Sequence, residues 1–164
     1  MDRKVVVEKI AQTYTAEIGV RELTGRNDGA RVEEYLAVTG FKKGNAWCAA
    51  FIAWSLERTS SDLHVLIKHP KSAWAPSWFP PAKTIYVKAD KYRNVKPDRA
   101  DVFGIYYAKD NRIGHVGFID QWPPNQDYAI TVEGNTNTAG SREGDGVYRK
   151  RRLKQNIYKV SRWV

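Results

Sequence analysis

From Thr84 onward the apolar residues of this chain alternate with polar ones at a period of two, whereas before it they recur at helical spacing. Residues 3–18 carry Val6, Ile10, Tyr14 and Ile18 along one helical stripe, which Gly19 stops. Residues 30–38 turn Val32, Tyr35 and Leu36 inward and end before Gly40. Residues 46–58 are apolar almost all round, the pattern of a central, buried helix. Strand-like runs follow at 84–89, 101–108, 114–122, 128–133, 147–153 and 157–163. Helices first and strands after, without alternation, predict an α+β fold with an antiparallel sheet of about six strands.

Between the two regimes, residues 60–82 fit neither period. They hold Pro70, Pro76, Pro80 and Pro81 among Trp74, Trp78 and Phe79. A long irregular segment inside a compact domain serves either as a groove wall or lid, or as a plug of the core by its own aromatics. Both uses fit this segment equally well.

At 164 residues, 42% of them hydrophobic, the chain is long enough to bury a core as one domain spanning 1–164. A single cysteine forms no intrachain disulfide, so that core must hold the fold. No run approaches the ~18 consecutive apolar residues of a membrane span. The start, Met1 to Lys9, is basic, but Glu8 and Lys9 cut short any apolar core of a secretory signal. Synthesis in the cytoplasm with no export route of its own is the expectation. Net charge is +9, with Arg149, Lys150, Arg151, Arg152, Lys154, Lys159 and Arg162 gathered after the last acid, Asp145. That excess favours an anionic partner, such as nucleic acid, a membrane surface or an acidic wall polymer, or is simply a solvated face.

The lone cysteine, Cys48, falls where the Gly44-Asn45 turn gives way to the apolar helix. A helix N-terminus lowers a thiol's pKa and aims backbone N–H groups at an oxyanion. Among three histidines, His115 opens a strand between Gly114 and Gly117, whereas His64 and His69 lie in the proline-rich segment. Glu133 and Asn135 are two residues apart on a later run; in a strand their side chains share a face, roughly 7 Å apart. Either could orient the imidazole as the third member of a triad, leaving the other for substrate or oxyanion. Trp47 is placed to wall the site.

The order cysteine, histidine, acid or amide is that of papain-like cysteine hydrolases. Trp-Cys-Ala-Ala-Phe (47–51), Gly-His-Val-Gly-Phe (114–118) and Glu-Gly-Asn-Thr-Asn (133–137) resemble the signature segments of the CHAP family, cysteine- and histidine-dependent amidohydrolases/peptidases that cut peptidoglycan. The loop with Gly19, Glu22, Gly25, Asn27 and Gly29, and the segment Gly140 to Gly144, resemble a compact bacterial and phage branch of it. The resemblance spans essentially the whole chain. It implies a papain-like, CHAP-type fold with the catalytic helix packed on the sheet. It also implies Cys48 as nucleophile, His115 as base, Glu133 as orienter and Asn135 as a fourth site residue. Glu22, Asn27, Trp74 and Trp78 are candidate substrate-binding walls beside Trp47.

Some members of that family bind calcium in an Asp-rich loop; here only Asp28 stands beside Asn27, so no metal or other cofactor is expected. Many wall lysins append a wall-binding domain; none is expected here. The expected activity is hydrolysis of a stem-peptide or sugar–peptide amide by a monomer, acting on the cell wall or periplasm after release or delivery. Peptidoglycan is the expected partner, with a holin, a delivery machine or an immunity protein alongside. Rival readings are a papain-like peptidase, deamidase or transacylase acting on protein, and a non-catalytic basic module binding wall or nucleic acid. Nucleic acid is disfavoured, because the basic residues are not interleaved with stacking aromatics in an RNA- or DNA-binding motif.

Overall fold

A computed structural model describes residues 1–90, 95–137 and 144–164. Among these residues three helices precede six strands, and every paired strand is antiparallel to its neighbour, which makes the fold α+β. Gly140, Ser141, Arg142 and Glu143 of the loop singled out above lie outside the described residues.

Helix α1 (Arg3–Ala16) opens under Asp2, whose carboxylate accepts from the Lys4 N–H at 2.9 Å. It ends before Ile18, which is 38% exposed and not part of the buried stripe, because the chain turns at Gly19 with φ +102°. Helix α2 (Ala30–Val38) has the bounds its pattern predicts and buries Val32, Tyr35 and Leu36. Helix α3 (Cys48–Leu63) starts two residues later than its apolar pattern and ends five residues further on. The polar tail Thr59 to Leu63 stays helical because tertiary partners receive it. Thr59 meets Thr13 of α1 at 3.2 Å, and Asp62 pairs with Lys9 at 2.8 Å and Arg58 at 3.2 Å. His64 closes the helix in the left-handed conformation at φ +52°.

The rest of the irregular segment divides between its two possible uses. Trp78 and Phe79 are buried, whereas Trp74 is 54% exposed. The strands are β1 (Thr84–Val87), β2 (Val102–Tyr107), β3 (Arg112–Gln121), β4 (Tyr128–Thr136), β5 (Gly146–Leu153) and β6 (Lys159–Ser161). They form one sheet in the order β1-β6-β2-β3-β4-β5.

The sheet has two unlike faces. One carries the helices: Phe118 of β3 stacks on Tyr14 at 4.7 Å and meets Phe51 of α3 edge-on at 6.2 Å. The other holds a smaller cluster of Phe103, Ile119, Ala129, Ile157 and Val160. Among the described residues four acids are buried within this frame, and each has a cation. Glu17 pairs with Arg31, Asp101 with Arg162, Asp120 with Arg99 and Arg149, and Glu133 with Arg152. Part of the C-terminal basic run is thus engaged within the protein. Arg149, Arg152 and Arg162 neutralise interior carboxylates, and the Arg151 guanidinium lies 4.3 Å over the Tyr128 ring.

Candidate active site

Cys48 is the first residue of α3, 5% exposed, with Trp47 as the N-cap. The first N–H groups of a helix have no intrahelical acceptor and so point at whatever sits on its end. Burial pushes the Cys48 thiol up. Hydrogen bonding and charge from His115, with the Val116 and Ala49 backbone N–H groups, outweigh it and leave the pKa below the ordinary thiol value.

Two β-bulges aim the remaining side chains. Opposite the β2 pair Ile105–Tyr106, strand β3 advances from His115 to Ile113, so Gly114 is the extra residue. Ile113 packs in the helix-side core, while His115 lies against Phe103 of the other cluster with ring centroids 6.4 Å apart. In β4 the register slips between Glu133 and Thr136. Gly134 there faces the helices: a Cβ would come within 2.7 Å of the Trp47 ring and 2.9 Å of Phe51. Its neighbour Glu133 points the other way, where a Cβ on Gly117 would meet Glu133 Cγ at 2.8 Å. The closeness that Gly117 permits is thus to Glu133 and Phe103.

His115 and Glu133 are fully buried and joined by a 2.8 Å hydrogen bond from His115 Nε2 to Glu133 Oε2. Glu133 also receives Thr131 Oγ1 at 2.6 Å, Arg152 Nε at 2.8 Å and Arg152 Nη2 at 2.6 Å. Burial alone would raise this carboxyl. Arg152 and then His115 overcome that and hold it well below the usual carboxylate range. Burial likewise disfavours a charged His115, but its hydrogen bonds and charges from Cys48 and Glu133 lift it to about 9. His115 Nδ1 is buried without a hydrogen bond of ordinary geometry and is the nitrogen left for the thiol. The resting state this favours is a thiolate beside an imidazolium, backed by an ionised carboxylate and a guanidinium.

Asn135 is 1% exposed and has a positive φ of 54°. The strand alternation that would put it on one face with Glu133 is broken between them by the bulge, so the spacing argument for a shared face does not hold. It is Glu133 that holds the imidazole.

The predicted walls separate by burial. Trp74 lines a groove of about 290 Å³ together with Cys48, Phe41, Asn45 and Arg112, whose guanidinium lies 4.4 Å over the Trp74 ring. Trp78 does not: it is fully buried, stacked on His69 and edge-on to Trp163. Trp47 is also fully buried, its ring against Tyr35 at 5.6 Å and its Nε1–H on Glu22 Oε1 at 2.9 Å. Glu22 Oε2 accepts the Asn27 N–H at 2.9 Å, and the Asn27 carbonyl accepts the Gly44 N–H at 2.8 Å. Glu22 and Asn27 therefore fasten the loop between α1 and α2 to the residues before the nucleophile and do not line the groove. Asp28 closes its own turn onto Thr24, at 2.9 Å to the N–H and 2.6 Å to the hydroxyl. Among the described residues no cluster of three His, Cys, Asp or Glu could hold a metal, and no helix is long and apolar enough to cross a membrane.

Arg152 is the site residue that sequence reasoning missed. It was submerged in a run of like charges. The clue was the period-two pattern of β5, which gives Tyr148, Lys150 and Arg152 one face and pairs Arg152 with Ala129 beneath Glu133. In comparisons with known proteins, no family model, curated protein or solved structure matches the chain.

Proposed function

We propose that the protein is a papain-like cysteine amidohydrolase or peptidase whose substrate is an amide of peptidoglycan. The observation that carries the hydrolase reading is the buried His115–Glu133 pair set against a cysteine on a helix N-terminus that opens to a groove. The wall substrate rests on the resemblance of segments 47–51, 114–118 and 133–137 to the CHAP family.

The Cys48 thiolate attacks the amide carbonyl carbon, and the oxyanion settles on N–H groups at the start of α3. The imidazolium of His115 gives its proton to the leaving nitrogen as the C–N bond breaks, which leaves a thioester on Cys48. Neutral His115 then takes a proton from water, whose oxygen attacks the thioester. The acid product leaves, and thiolate and imidazolium are restored. Through both steps Glu133 holds Nε2–H and stabilises the ring's charge.

Digestion of purified sacculi followed by mass spectrometry of the fragments tests the reading, with a protein panel in parallel. The parent should release muropeptides cut at one type of amide, and Cys48→Ala should release none while keeping its thermal melt. Undiminished cleavage by Cys48→Ala would remove the cysteine mechanism. Cleavage confined to the protein panel would move the substrate to protein.

A further inference from the structure

A second cavity lies beside Arg152 and does not include the nucleophile in its lining. It holds about 400 Å³ and is lined by Arg152, Lys88, Tyr107, Tyr158, Gln155 and Asn156, among others. No carboxylate lines it among the described residues. A guanidinium offers two forked edges to planar anions. Glu133 occupies the side edge through Nε and Nη2, and Nη1 makes no hydrogen bond to the described residues. The Arg152 side chain is 13% exposed, and Nη1 is not sealed off from solvent. Lys88 is exposed and makes no ion pair among the described residues. Tyr158 and Tyr106, their rings 5.0 Å apart and tilted by 44°, supply an aromatic wall.

We propose that this cavity is a second binding site, for a small carboxylate that engages the free end of Arg152 and Lys88 and thereby adjusts the catalytic pair. One guanidinium would hold two carboxylates, the fixed one of Glu133 and the exchangeable one of the ligand. Cys48 of α3 and Glu133 of β4 act on His115 directly; Arg152 and Lys150 of β5 act on Glu133, and Tyr107 of β2 acts on Arg152. An anion on Arg152 offsets the positive charge that opposes Glu133's hold on the imidazolium. His115 then keeps its proton to higher pH when the cavity is filled. This site stands whichever amide the cysteine cuts, and its test needs no turnover.

Titration with N-acetylglycine, followed by NMR of the arginine and lysine side-chain nitrogens, gives the first readout. N-acetylglycinamide is the uncharged control. The acid should shift the Arg152 and Lys88 signals saturably, and the amide should not. Lys88→Gln should weaken the acid by up to about fivefold, the scale of an exposed charge contact. With the acid saturating, the His115 titration should move to higher pH. Equal shifts from acid and amide, unchanged affinity in Lys88→Gln, or shifts centred on Trp74 and Phe41 would overturn the site. An unmoved His115 titration would overturn its coupling to the catalytic pair.

Discussion

Glu133 carries more of the site's electrostatics than its place in the sequence suggests. It touches the base, a hydroxyl and a cation, the first two contacts buried and the third partly so. Because the carboxylate raises His115, removing its charge must lower that pKa. The thiolate–imidazolium pair acts while His115 is protonated, so the parent's rate should fall as pH rises through about 9. In Glu133→Gln the alkaline limb should move to lower pH, and turnover should drop by up to about 10⁴-fold, as on losing a triad's acid. Full pH–rate profiles of both proteins check this. Asn135→Ala should leave the limb in place, since Asn135 is not the imidazole's partner in the described geometry. A limb that moves in Asn135→Ala and stays in Glu133→Gln would reverse the assignment.

At the scale of elements, α3 and β4 meet with no room to spare. A methyl on Gly134 would strike Trp47 and Phe51, side chains packed between two elements and unable to swing away. Gly134→Ala should therefore cost about 1–3 kcal/mol, as overpacking does, in urea unfolding followed by circular dichroism. Parent-like stability would mean that α3 does not seat on β4 at this point. Such contacts mark the limit of what the sequence discloses. Element type and order were legible, because helical and period-two patterns are local properties of the chain. So were Cys48, His115 and Glu133, each sitting in a short distinctive segment. The bulges at Gly114 and Gly134–Asn135 were not legible, since a bulge is defined by the strand across from it. The same holds for the polar end of α3, which Thr13 and Lys9 of α1 stabilise, and for Trp47 and Trp78, whose burial depends on partners distant in the chain.

Across the whole molecule, the chain's high net charge hides a matched set of interior ion pairs. Glu17 and Glu133 both titrate below their ordinary range, despite burial that alone would raise them, because arginines hold them ionised. A depressed carboxylate contributes stability above its unfolded pKa of about 4.3 and loses it as pH falls through the folded value. Asp101 has the opposite sign: burial lifts it despite Arg162, so it favours the fold when protonated and offsets part of the loss. Urea midpoints should fall as pH drops below about 4, and Glu17→Gln should flatten that fall. A midpoint unchanged down to pH 3 would mean that these pairs do not stabilise the fold. The sheet order adds a matter of timing. Strand β6 sits between β1 and β2, so neither inner edge is satisfied until a strand later than the other described strands arrives. During translation, Glu133 likewise waits for Arg152 to emerge from the ribosome. Until residue 152 has been made, the His115–Glu133 pair lacks the cation that braces it, so the proposed chemistry depends on a strand that follows both residues in the chain.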